Sequence, residues 1–209
     1  MHTLKYGENP HQKGTISIDA ASSDPLGLGR FKMVDGRPMT EGAKLMSWVT
    51  VTDLDRGIDA ISKLAAVCEA NLGEVPCIAI LLEHGNACGA AIGSSEQVIN
   101  NAIYGNFRAS MGAFLVTNVA ITEPVAFKMR QWMAANRPFS GIAAPEIDPA
   151  GATYFERKKG VCHMLVNPAL AKLGRASLQR GDISHTVRGA TITQSPNLFV
   201  PTFAAEWYL

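Results

Sequence analysis

The sequence predicts an α/β fold, a three-layer α/β/α sandwich, on three observations. Pro76-Cys77-Ile78-Ala79-Ile80-Leu81-Leu82 is an unbroken apolar run of strand length, the pattern of a strand covered on both faces. Before it, Ile58, Ile61, Leu64, Ala65 and Cys68 recur at helical spacing. After it, short apolar runs alternate with helical stretches as far as residue 166.

The elements follow in order. The opening third carries Gly7, Pro10, Gly14, Pro25, Gly27, Gly29, Gly36 and Pro38, which break any period before a helix grows, so loops and short strands are expected. The first helix is expected behind the acidic, cap-like Thr52-Asp53 and ends near Leu72-Gly73. The strand over 76–82 stops at Glu83-His84. Then come a helix over 96–104, a strand over 113–119, a helix over 124–135, a strand over 141–144, a helix over 150–159 and a strand over 161–166. The Thr-, Ser-, Asn- and Gly-rich stretch from 180 to 201 reads as an extended tail or packing arm. The division expected is a core unit over 1–180 and a C-terminal extension over 181–209.

Composition narrows the function classes. With 209 residues, 47% hydrophobic and 18% charged, the chain can bury its own core. A net charge of +1 supplies no long-range field toward nucleic acid or an anionic membrane, and neither is expected as a partner. Arg157-Lys158-Lys159 reads as a solvated helix end. Cys68, Cys77, Cys88 and Cys162 lack CxxC spacing and fall mostly in apolar runs, as free thiols in a reducing compartment do. The start lacks the apolar stretch of a signal peptide and no run is long enough to span a bilayer, so the expected location is the cytoplasm.

Four segments hold side chains suited to chemistry. Glu83-His84-Gly85-Asn86-Ala87-Cys88-Gly89 stands where an apolar strand ends, and ligand sites of open α/β sheets gather at carboxyl ends of strands. The imidazole of His84 makes it the general-base candidate, with Glu83 favouring its charged form if the side chains meet. A structural histidine with Asn86 capping the turn is an equal reading. His84 and Cys88 are four apart and could share a helical face, yet no further ligand pattern accompanies them, so metal is not expected. Lys5-Tyr6-Gly7-Glu8-Asn9-Pro10-His11-Gln12 is a polar loop that projects Lys5, Tyr6 and His11 toward an anionic or heteroaromatic ligand, or is only a solvated turn. Gly112, in Ser110-Met111-Gly112-Ala113-Phe114, opens a strand where backbone can approach a ligand or simply pack. Pro138-Phe139-Ser140-Gly141-Ile142-Ala143-Ala144-Pro145 brings Ser140 and Ile142 onto another short strand.

Together these segments resemble the family of formyltransferases that act on 5-aminoimidazole-4-carboxamide ribonucleotide (AICAR). Tyr6-Gly7-x-Asn9-Pro10-His11-Gln12 is similar to the family's R-Y-G-x-N-P-H-Q opening. Met46-Ser47-Trp48 followed by Asp53-x-Asp55 resembles L-S-Y-N-N-x-x-D-x-D, and His84-x-Asn86-x-Cys88-Gly89 resembles K-H-x-N-P-C-G. Ser110-x-Gly112-x-Phe114 and Gly141-Ile142-x-Ala144-Pro145 are similar to S-x-F-G-x-F and D-G-I-I-A-P. Gly174-Arg175-x-Ser177-Leu178-x-Arg180 resembles the end of the family's first repeat, so the likeness runs from about Leu4 to Arg180.

The resemblance implies a cytidine-deaminase-like fold without zinc. It also implies transfer of a formyl group from the co-substrate 10-formyltetrahydrofolate to the amine of AICAR or a related small molecule. His84 then assists removal of the amine proton, Glu83 and Asn86 flank it, and Lys5, Tyr6, Gly7, Asn9, His11, Gly112, Ser140 and Ile142 line the substrate. Three positions depart from the pattern. Glu83 stands for a lysine and sets a carboxylate where a cation would stabilise an oxyanion. Lys5 stands for an arginine and loses bidentate phosphate recognition. Ser140 stands for an acid. Two other readings stay open: a noncatalytic nucleotide-binding or regulatory module, and a specialised-metabolism enzyme acting on a different amine without folate.

The match covers only the first of the family's two subdomains. A homodimer, or a heteromer with a separate second-subdomain protein, is therefore expected. The aromatic end, Phe199, Val200, Phe203, Trp207 and Tyr208, lies across that interface or packs back on its own domain.

Overall fold

The computed structural model describes residues 1–41, 44–133, 139–156, 161–178 and 181–203. The Arg157-Lys158-Lys159 run, Pro138, Arg180, Trp207 and Tyr208 lie outside the described residues, as do the expected ends of the 124–135 and 150–159 helices.

The N-terminal third is loop-rich. β1 (His2–Thr3) pairs antiparallel with β2 (Thr15–Ile16), and β3 (Lys32–Met33) joins the main sheet from afar. The first long element, α1 (Trp48–Leu72), begins more than a turn before the Thr52-Asp53 start expected from sequence. Ser47 is the real cap: its hydroxyl accepts from the Thr50 N–H, leaving Asp53 inside the helix. At the other end Gly73, at φ 77°, sends its N–H to the Glu69 carbonyl and stops the helix where expected.

The remaining elements are β4 (Cys77–Glu83), β5 (Asn86–Gly93), α2 (Gln97–Gly105), β6 (Phe114–Thr117), α3 (Glu123–Trp132), β7 (Gly141–Ala144), α4 (Pro149–Ala152) and β8 (His163–Val166). A 3₁₀ turn, Thr153–Phe155, follows α4 where a longer helix was expected. The strand β5 has no counterpart in the sequence reading. Its Asn-Ala-Cys-Gly-Ala-Ala-Ile-Gly composition is poor in the β-branched and aromatic residues that mark strands, and it forms because β4 offers it a full ladder.

The mixed six-stranded sheet has the order β3-β8-β7-β6-β4-β5. β6, β7 and β8 run parallel, whereas β4 is antiparallel to both β5 and β6. Strand periodicity divides the core in two. Ile78, Ile80 and Leu82 face α1 with Phe114, Val116, Ala143 and Leu165, against Leu54, Ile61 and Ala65. Ala79 and Leu81 face the other way with Leu115, Ile142 and Ala144, against Val98, Ile99 and Ala102 of α2 and Ala126 and Met129 of α3. This is a three-layer α/β/α arrangement, and it explains the unbroken apolar run of β4, because both of its faces are covered.

The expected tail contains structure. β9 (Ile183–Val187) and β10 (Ala190–Gln194) form a separate two-stranded hairpin, exposed at every residue but Ile183. Beyond it, Asn71 near the end of α1 donates to the Pro201 carbonyl and accepts from the Phe203 N–H. This stretch therefore packs back on its own domain, while Phe199 and Phe203 remain exposed.

Candidate functional site

Strand direction decides which residues meet. β4 is antiparallel to β6 in a register that opposes Leu82 to Phe114, and the parallel ladders continue to Gly141 and His163. Glu83-His84 at the carboxyl end of β4 thus shares one end of the sheet with Gly112 before β6 and Ser140 before β7. Glu83-His84 stands at the carboxyl end of its strand, whereas Gly112 and Ser140 stand at amino ends. Ser140 stands two strand spacings from Glu83, about 10 Å.

The turn between β4 and β5 consists of His84 and Gly85, with Glu83 paired to Asn86 across it. Both turn residues have positive φ, 52° and 76°, as a type I′ turn requires. Among the described residues His84 is the one non-glycine with positive φ, and such strain collects at functional sites. The Asn86 side-chain amide donates to the His84 carbonyl at 3.0 Å, so Asn86 does cap the turn. His84 is exposed and Glu83 half-buried, and among the described residues no ion pair joins them.

The anchor of this turn comes from α1. Asp53 Oδ1 accepts from the Gly85 N–H at 2.6 Å, and only 3% of Asp53 is exposed. Burial pushes the Asp53 carboxyl above its ordinary value; the Gly85 hydrogen bond and the charge of His84 pull it down, and Glu83 adds to the rise. Sequence reasoning assigned Asp53 to a helix cap and missed it as a site residue. The missed signal is Ser47, a better cap that leaves an acid one position from core-facing Leu54, where a buried charge requires a partner.

The N-terminal loop reaches the same helix. The Lys5 N–H donates to the Met46 carbonyl at 2.8 Å and the Trp48 N–H to the Tyr6 carbonyl at 3.0 Å. The loop is closed from within by Gly7 N–H to the Gln12 carbonyl and Leu4 N–H to the Gly14 carbonyl. Asn9 donates to Gln12 Oε1 through both its backbone N–H and its side chain, so it shapes the loop. Gly7 is buried, and a Cβ there would stand 2.8 Å from Gln12 Cβ. His11 is exposed, and Lys5 Nζ lies 5.3 Å from the Tyr6 ring centroid. Trp48 and Asp53 are five residues apart, about 7.5 Å along the helix axis.

Other expected site residues differ in what they present. Gly112, at φ 86°, is exposed with open space where a side chain would go. Ser140 Oγ is buried with no hydrogen-bond partner among the described residues. The Ile142 side chain is fully buried in the core on the face away from α1. Cys88 and His84 do not share a helical face: one lies in β5, the other in the turn. The Cys88 thiol lies within donating reach of the Leu81 and Ala109 carbonyls, at 3.5 and 3.6 Å, and burial followed by the charge of Glu83 pushes it up, so it remains a protonated packing group. Among the described residues no group of three or more His, Cys, Asp or Glu can hold a metal ion.

A cavity of about 470 Å³ lies elsewhere, between α1, residues 24–28 and the β9–β10 hairpin, and includes Asp55, Asp59, Lys63 and His185. None of the sequence-predicted site residues lines it. The strained turn is the better candidate for chemistry, because it gathers an imidazole, a buried carboxylate and a second polar loop on one helix, whereas the cavity, with Asp24, Asp55 and Asp59 against Arg56 and Lys63 on its wall, contains none of the sequence-predicted site residues.

Three comparisons place this geometry among known proteins. The family model described as AICARFT/IMPCHase bienzyme matches residues 1–205. Curated relatives with the name bifunctional purine biosynthesis protein PurH include that of Caulobacter vibrioides, 25% identical over 92% of this chain and 32% of its own length. That of Synechococcus sp. (strain CC9311) is 27% identical over 59% of this chain and 21% of its own. That of Microcystis aeruginosa is 26% identical over 79% and 28%. The chain thus spans about a third or less of these relatives. Among solved structures, Acinetobacter baumannii RibD, form 2, aligns over 60% of this chain and 38% of that one, with a TM-score of 0.39 and 9% identity.

Proposed function

Because the chain belongs to the AICARFT/IMPCHase bienzyme family, we propose that it is a folate-dependent formyltransferase acting on the amine of AICAR or a related small molecule. The observation that carries this reading is the convergence of the N-terminal loop and the His84 turn on the first turns of α1, through Trp48 and Asp53. In this reading the acceptor's ring and phosphate lie against Tyr6 and Lys5, near the positive end of the α1 dipole. The acceptor amine faces His84.

The amine nitrogen attacks the formyl carbon of 10-formyltetrahydrofolate. His84 takes the amine proton, the formyl carbon–N10 bond breaks, and N10 receives a proton, leaving a formamide and tetrahydrofolate. Asn86 fixes the turn. Ser140 Oγ, buried and without a partner among the described residues, donates to substrate in this reading only once it is uncovered. The antiparallel β4 beside three parallel strands supports the cytidine-deaminase-like reading, with residues 1–180 as the core unit and 181–209 as its extension. The family resemblance supports a site completed by a second copy or a second-subdomain protein.

Incubating the protein with 10-formyltetrahydrofolate and AICAR and following tetrahydrofolate release is the test. Turnover supports the reading; no turnover with AICAR or related amines, alone or with a second-subdomain partner, refutes it. Glu83 favours a second reading, a nucleotide-binding module without chemistry, because its carboxylate opposes the negative charge that develops during formyl transfer. Micromolar binding of an aminoimidazole nucleotide, unchanged by His84→Ala and without transfer, identifies that alternative.

A further inference from the structure

We infer that Asp53 is the positioning residue of His84: by accepting the Gly85 N–H it holds the His84-Gly85 turn in its left-handed conformation and aims the imidazole. The inference rests on His84 being the base. Its ground is geometric. A non-glycine residue at φ 52° persists only where the surroundings over-determine it, and the neighbouring amide is tied at 2.6 Å to a carboxylate rooted in a 25-residue helix. A carboxylate accepting a backbone N–H forms a charge-assisted bond, stronger than a neutral one.

Burial gives a second argument. Asp53 sits at 3% exposure among core residues of α1, where an isolated ionised carboxyl is costly. Packing alone would be better served by an apolar residue, so a turn that needs the acceptor accounts for an acid here. The charged groups around the turn are Asp53 from α1 and Glu83 from β4. Arg56 of α1 lies alongside, its Cγ 4.0 Å from where a Cβ on Gly85 would stand. Asp53 is the one of the three bonded to the turn's backbone.

The test combines amide NMR of the intact protein with kinetics. In the wild type the Gly85 amide resonance should move as Asp53 titrates, because the donor senses its acceptor's charge. Asp53→Ala should abolish that movement and speed Gly85 amide exchange about 10-fold or more. It should also lower kcat roughly 10²-fold with KM little changed, the cost of a catalytic group displaced by about 1 Å. Asp53→Asn keeps a side-chain carbonyl as acceptor and should restore both protection and most of kcat. A Gly85 amide insensitive to acid titration in the wild type overturns the inference even if Asp53→Ala does not fold. So does a kcat that Asp53→Asn fails to rescue. Absence of formyl transfer in the wild type would remove the base role of His84, while the amide titration still decides whether Asp53 holds the turn.

Discussion

Two hairpins of this molecule close through two-residue turns, and they differ in what surrounds them. β4 and β5 turn through His84-Gly85, with both residues at positive φ; β9 and β10 turn through Arg188-Gly189, with only the glycine there, at 73°. The first hairpin lies inside the six-stranded sheet, its Leu81 fully buried and its turn bonded to α1. The second is a sheet of its own, with Val187 and Ile192 largely exposed. A strained residue thus sits where a layered core and a buried acid can hold it, and the free hairpin uses a turn that asks this only of glycine.

The largest difference should appear in stability. Leu81→Ala removes a core side chain between β4 and α2 and should cost about 2–5 kcal/mol in urea unfolding. A loss under about 1 kcal/mol would mean that the first hairpin is no better held than the second. Ser47→Ala removes the cap of the helix that carries Asp53, and should cost about 1 kcal/mol by the same measurement.

Asp53 sharpens the comparison through pH. A carboxyl raised in the folded state binds protons better folded than unfolded. The stability it contributes is therefore present below its unfolded value and lost as pH rises through its folded value. Thermal melts should show Asp53→Asn gaining stability relative to wild type as pH rises from below 3.8, the ordinary aspartate value, toward neutrality. A flat difference would remove Asp53's burial from the account. The smallest effect belongs to the second hairpin: Ile192→Ala, at 57% exposure, should change stability by no more than about 0.5 kcal/mol.

Much of the fold was legible because burial writes itself into pattern. β4 read as an unbroken apolar run since helices cover both its faces, and the α1 stripe that includes Ile61 and Ala65 read as helix because those residues meet the sheet. β5 was illegible because its small residues form a strand only once β4 is present. The β9–β10 hairpin was illegible because its nearly fully exposed strands bury no face to create an alternation. At the site, His84 and Asn86 stood out by residue type and motif. Asp53 stood in a family motif yet read only as a helix cap, since its partner is the backbone N–H of Gly85, thirty-two residues away, and a main-chain donor leaves no mark in sequence.

The most direct measurement sets two histidines against each other: His84 on the held turn, and His185 on the free hairpin beside the 470 Å³ cavity. With 10-formyltetrahydrofolate and AICAR as substrates, His84→Ala should lower kcat by roughly 10²–10⁴-fold while nucleotide binding persists. His185→Ala should leave kcat within about twofold, as expected of a surface change remote from the chemistry. Full activity in His84→Ala, or a loss in His185→Ala as large as that in His84→Ala, would contradict the account and move the chemistry to the cavity.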